Sequence, residues 1–144
     1  MKKIFIISLI LFSSTAVFSQ EWGSVQKNEL TLKEIAPIWP GCESGSATDR
    51  DDCFNQKLAT HISKNFRYPA DAYKENEEGR VVVDFIVNEQ GVIEVTKTSG
   101  GSSSLQEEAK RNILSIPKMV KPGMVGGKPK AIKYTVPFTF KTGK

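Results

Sequence analysis

One histidine, His61, and two cysteines, Cys42 and Cys53, are all that 144 residues offer for soft-ligand or imidazole chemistry. Two thiols and one imidazole at these spacings form no recognised ligand set, so neither a metal nor a cofactor is expected. A single histidine also leaves a serine relay only one candidate base. The serines of "SGGSSS" (99–104) lack the Gly-x-Ser-x-Gly elbow, and no sequence feature brings His61 to them. "GMVGGKP" (123–129) has Pro129 where a phosphate loop needs Ser or Thr after Lys128, and a strand follows instead of a helix. Glu75, Glu77 and Glu78 cluster in a polar turn, a solvated setting. No catalytic residue is expected, and the chain reads as a non-enzyme.

Strong charge is missing too. Twenty Lys and Arg stand against sixteen Asp and Glu, a net charge of +4. Such a balance excludes nucleic acid as the expected partner. Long apolar runs are also absent after the first twenty residues. "MKKIFIISLILFSSTAVFSQ" has a basic start, an apolar stretch from Ile4 to Phe12 and a small-residue exit, the layout of a cleavable export signal over residues 1–19. The alternative is an uncleaved anchor, although a spanning helix needs about 20 apolar residues. Loss of Lys2 and Lys3 with that segment lowers the charge to +2. In an exported chain, the isolated pair Cys42 and Cys53 reads as a disulfide closing "CESGSATDRDDC".

What is present is periodicity. Residues 20–53 form an extended lead-in ending in "APIWPGC", with Trp39 expected to anchor on the domain and residues 43–52 as a polar loop. Phe54, Leu58, Ile62 and Phe66 recur every four residues, predicting a helix from near Cys53, capped by Asp51 or Asp52, that stops before Tyr68–Pro69. His61 sits beside that stripe as a structural or surface residue. "ADAYKENEEG" follows as a polar turn or short helix. "RVVVDFIV" alternates, with Val81, Val83, Phe85 and Val87 on one face. "NEQG" turns it into "VIEVTKT", with Ile93 and Val95 inward: a hairpin. A second helix carries Leu105, Ala109, Ile113 and Ile116, with Ser103 or Ser104 opening a capping box and Pro117 ending it. Residues 118–130 read as a loop. Together these predict an α+β domain over residues 54–144, two helices on one face of a three-stranded antiparallel sheet.

The last strand, Ile132–Lys141, contains "KYTVPFTF". Tyr134, Val136, Phe138 and Phe140 alternate with Lys133, Thr135, Pro137 and Thr139. Proline cannot donate to a ladder, so Pro137 marks an edge strand whose free side carries the odd-numbered backbone groups. Two readings stand: an edge protected by Lys and Pro against unwanted pairing, or an edge to which an extended peptide adds.

The order of "YPADAY", "EEGRVVVDFIVNEQGVI", "SIPKMVKPG" and "YTVPFTF" resembles the C-terminal domain of TonB-type energy transducers, over about residues 54–141. "PIWPGCE" with a second cysteine also resembles the lead-in of Bacteroidetes members. The resemblance implies strand addition of a short segment, the TonB box, of an outer-membrane transporter to residues Ile132, Lys133, Tyr134, Thr135, Val136, Pro137, Phe138, Thr139 and Phe140. Tyr68 and Pro69 match the family's Tyr-Pro motif, at or beneath the binding surface. It implies a periplasmic location, with an inner-membrane motor complex as further partner if the N-terminus is retained as an anchor. A free periplasmic adaptor and a homodimer joined through the edge strand are the alternatives.

Overall fold

The computed structural model describes residues 33–144. The export signal expected at residues 1–19, with its cleavage, lies outside them. Nine elements follow in chain order: β1 (Glu34–Ile35), α1 (Ala47–Asn65), α2 (Ala70–Lys74), β2 (Gly79–Val87), β3 (Ile93–Ser99), α3 (Ser103–Leu114), β4 (Met124–Val125), β5 (Lys128–Pro129) and β6 (Ile132–Phe140).

The main sheet has the order β3-β2-β6, all antiparallel. Alternation in β2 dictates its central place. Val81, Val83, Phe85 and Val87 are fully buried beneath the helices. Each such side chain contributes roughly 1.5–3 kcal/mol by leaving water. Leu105, Ala109, Ile113 and Ile116 complete the core from the α3 side. β3 pairs Lys97 with Asp84 but Val95 with Phe85. Thr96 is therefore a bulged residue, and a bulge adds twist at that edge. At the end of β3, Gly100 has φ +80°, and a Cβ there would lie 2.3 Å from the Arg80 carbonyl oxygen, so the tight passage into α3 needs glycine.

Three sequence expectations need correction. First, α1 begins at Ala47, not near Cys53, and its cap is Ser46, not Asp51 or Asp52. The Asp49 amide donates to Ser46 Oγ (3.2 Å), and the Ser46 amide donates to Asp49 Oδ2 (2.8 Å), a reciprocal box. These bonds hold the Asp49 carboxyl below its usual pKa. The turns before Phe54 are polar and show no apolar period, so much of the expected 43–52 loop is helix. Second, Ser102 caps α3 in place of Ser103 or Ser104, accepting from the Leu105 amide while its hydroxyl donates to Glu77 Oε2 at 2.6 Å. Third, residues 118–130 are not simply a loop. β4 and β5 form a hairpin around Gly126 and Gly127, whose φ values of +59° and +79° suit a type I′ turn. β1 adds to β4, giving a second three-stranded sheet.

That small sheet fastens the lead-in. The Ile38 amide donates to the Lys121 carbonyl (3.0 Å), and the Val120 amide donates to the Ile38 carbonyl (2.8 Å). Trp39 is buried as expected, edge-on to Phe54 at 5.6 Å. Cys42 and Cys53 are disulfide-bonded with Cα atoms 5.8 Å apart, tying the lead-in to α1.

Asn112 is a buried polar residue absent from the apolar pattern. Its Nδ2 donates to the Ile62 carbonyl at 3.0 Å, joining α3 to α1. Removing the amide strands that carbonyl, which costs about 1–3 kcal/mol for a buried acceptor. Asn112→Ala is expected to lose stability in that range in urea melts; an unchanged midpoint would show that water replaces the bond.

Candidate functional site

The direction of the β6 backbone follows from the β2–β3 hairpin. The Asn88 amide donates to the Val92 carbonyl at 2.9 Å, and Thr96 Oγ1 donates to the Asp84 carbonyl at 3.1 Å. Even-numbered residues of β2 thus direct their backbone groups toward β3, and odd-numbered ones toward β6. The register pairs Ile86 with Lys133, Asp84 with Thr135, Val82 with Pro137 and Arg80 with Thr139. Those four β6 residues occupy the non-bonded positions, so their backbone groups face away from β2. Pro137 thereby costs the ladder nothing, and β6 is an edge strand, as its sequence implies.

Side chains divide by the same parity. Ile132, Val136, Phe138 and Phe140 are buried. Tyr134 stacks between Phe54 (4.9 Å) and Phe85 (5.4 Å), and burial pushes its phenol pKa up. These five residues hold β6 to the core and bond to β2. Lys133, Thr135, Pro137 and Thr139 are exposed. Thr135 Oγ1 donates to Asp84 Oδ1 at 2.6 Å, and Lys133 Nζ lies 3.9 Å from Asp84 Oδ2.

Tyr68 packs against the C-terminal end of β6, and Pro69 caps α2 beside Ser104, Glu107 and Arg111 of α3. The Tyr68 hydroxyl donates to the Glu77 carbonyl, and its ring stands perpendicular to Phe140 (5.6 Å) and Tyr73 (5.5 Å). Burial, followed by the charges of Glu78 and Glu77, raises the Tyr68 pKa. The Pro69 carbonyl accepts from the Tyr73 amide at 2.9 Å, starting α2. Just past β6, Thr142 donates through both its amide and its hydroxyl to Glu78 Oε1, each at 2.6 Å. Those bonds lower the Glu78 pKa and fix where the strand ends.

A cleft of about 360 Å³ runs between β6 and the end of α1, lined by Ile62, Ser63, Phe66, Pro137, Phe138 and Thr139. The apolar stripe gave Phe66 to the core. It instead lies just beyond α1, 38 % exposed, with its ring 5.1 Å from Phe140. The aromatic directly before "RYP", where the helix must end, was the available signal.

His61 does meet a serine, though not one of 99–104. Its Nε2 lies 3.0 Å from Ser115 Oγ and 3.2 Å from the Asn112 carbonyl, while Asn65 Nδ2 approaches Nδ1 at 3.3 Å. An amide N–H donating to Nδ1 leaves the ring proton on Nε2. Ser115 Oγ in turn donates to the Asn112 carbonyl at 2.6 Å. With Ser115 Oγ bonded to the Asn112 carbonyl and both within reach of His61 Nε2, the geometry is that of a staple on the α3 C-terminus. His61→Gln is expected to leave peptide binding unchanged and to shift stability by about 1 kcal/mol or less; loss of binding in a folded variant would contradict the assignment.

The chain matches the family described as Gram-negative bacterial TonB protein C-terminal over residues 64–142, more than half of its length. It belongs to that family. No curated protein matches it. Two solution structures of Helicobacter pylori TonB-CTD are similar. One is 24 % identical, covering 69 % of this chain and 85 % of that one, with a TM-score of 0.45. The other is 26 % identical, covering 63 % and 96 %, with a TM-score of 0.42. The family is one of periplasmic, non-enzymatic domains that serve TonB-type transport and interact with outer-membrane transporters. Among the described residues, no helix is long and apolar enough to cross a membrane.

Proposed function

We propose that this protein binds an extended segment of an outer-membrane transporter by strand addition to the free edge of β6, in support of energy-dependent import. The observation that carries the reading is the parity of β6. The backbone groups of Lys133, Thr135, Pro137 and Thr139 face away from the sheet, next to a cleft with an exposed aromatic. An incoming strand takes up those groups, and one of its own carbonyls, opposite Pro137, stays with water. Apolar side chains of the added strand lie against Ile62, Phe66 and Phe138. Each ladder bond contributes about 1 kcal/mol net, so affinity is modest and spread over several positions. The same edge protected by Lys133 and Pro137 avoids permanent self-pairing.

The test is titration of labelled protein with a synthetic peptide from a transporter's N-terminal segment, followed by backbone NMR. Shifts are expected along 132–140 and at Ile62–Phe66. Shifts confined to β3, or saturation only through concentration-dependent self-association in sedimentation, would overturn the reading.

A further inference from the structure

A second cavity, of about 380 Å³, lies where the small sheet meets the start of α1. None of its lining residues lines the β6 cleft. Its wall is largely apolar, with Ile35, Ile38, Val120 and Met124 among the lining residues. The charged lining residues are Arg50, Lys121 and Glu43.

The charges are unbalanced in a way the fold does not require. Glu43 Oε1 is occupied, accepting from the Gly41 amide at 3.2 Å. Arg50 Nη1 donates to the Gly45 carbonyl at 3.0 Å, but Arg50 Nε is buried with no acceptor among the described residues. Among those residues, no carboxylate stands within ion-pair distance of Arg50 or Lys121. Two cations, Arg50 and Lys121, against one carboxylate already bonded, Glu43, beside an apolar hollow are complementary to one kind of ligand: an apolar tail ending in a carboxylate.

We propose that this cavity binds a medium-chain monocarboxylate, its tail against Ile35, Ile38 and Met124 and its carboxylate on Arg50. Small-molecule pockets start at about 300 Å³, so a tail of roughly ten carbons is of suitable size. The walls come from the lead-in, the first turn of α1 and the 118–130 segment, so the site depends on the lead-in being folded onto the domain. It stands independently of the peptide reading of β6.

The probe is sodium decanoate, titrated into the oxidised full chain by calorimetry and amide NMR, with decanol and acetate as comparison ligands. Saturable decanoate binding below about 1 mM is expected, with shifts at Ile35, Ile38 and Met124. Acetate should produce no saturable shift. Arg50→Gln should weaken decanoate at least tenfold and leave decanol unchanged. Ala36→Leu, which fills the cavity from its wall, should weaken both. The proposal is overturned if decanoate does not saturate, if its shifts fall on Ile62–Phe66, or if folded Arg50→Gln binds as well as wild type. Should Arg50→Gln not fold, the wild-type comparison decides: decanol binding as tightly as decanoate removes the role of the carboxylate.

Discussion

Replacing Thr135 by proline is expected to weaken peptide binding by about tenfold or more while leaving the domain folded. Thr135 occupies a non-bonded position opposite Asp84, so its N–H is offered outward and not to β2. Proline removes that donor and leaves a second carbonyl of the incoming strand without a partner. Losing a bond with the acceptor stranded costs about 1–3 kcal/mol, a factor of roughly 5 to 150 in affinity. The fold is spared because the β6 bonds to β2 belong to Ile132, Tyr134, Val136, Phe138 and Phe140. Proline also confines the preceding residue to extended angles, which Tyr134 already has in the strand. One side effect needs a control. Thr135 Oγ1 bonds Asp84 Oδ1, and proline abolishes that bond too. Thr135→Val keeps the N–H and the branched side chain but loses the hydroxyl, and should bind within about twofold of wild type. Peptide titration of both variants, with circular dichroism for folding, separates the contributions. Wild-type affinity in folded Thr135→Pro would mean the edge is protected, not used.

Opening the Cys42–Cys53 bond is expected to cost about 3 kcal/mol, the chain-entropy value for a loop of this size. The cysteines are 11 positions apart in sequence. The loss should be uneven. Without the bond, the lead-in is held by Trp39, the two-residue pairing of β1 with β4 and the Ile38–Lys121 bridge. The main sheet keeps its own core under α3. In the double Cys→Ser variant, hydrogen exchange should therefore be fastest at Ile38, position 42 and Val120, which can open locally, and slowest at Val83 and Phe85, which open only with the whole domain. Equal opening free energies in both sets would show that lead-in and sheet unfold as one unit. A loss under 1 kcal/mol would show that Trp39 and the small sheet suffice.

The sequence by itself determined those features in which burial repeats at a fixed period. The four-residue alternation of Val81, Val83, Phe85 and Val87 specified a central strand, and the Leu105–Ala109–Ile113 stripe specified α3. Pro137 within an otherwise regular strand specified an edge, because a missing N–H is tolerated at only one parity. The disulfide followed from an isolated cysteine pair in a chain whose first residues read as an export signal. The first turns of α1 are polar, with no apolar period to mark them, and start from the local Ser46–Asp49 box. Tertiary structure alone decided the rest. β1, β4 and β5 span two residues each, too short for alternation, and owe their pairing to partners about ninety residues apart in the case of β1 and β4. Asn112 reads as polar surface until the Ile62 carbonyl appears beside it. Phe66 continues a core stripe in sequence, yet the chain turns extended at that residue ahead of Tyr68–Pro69. Its ring is thereby carried past the helix to the rim of the β6 cleft, a position that depends on where α1 crosses the sheet and not on any local pattern.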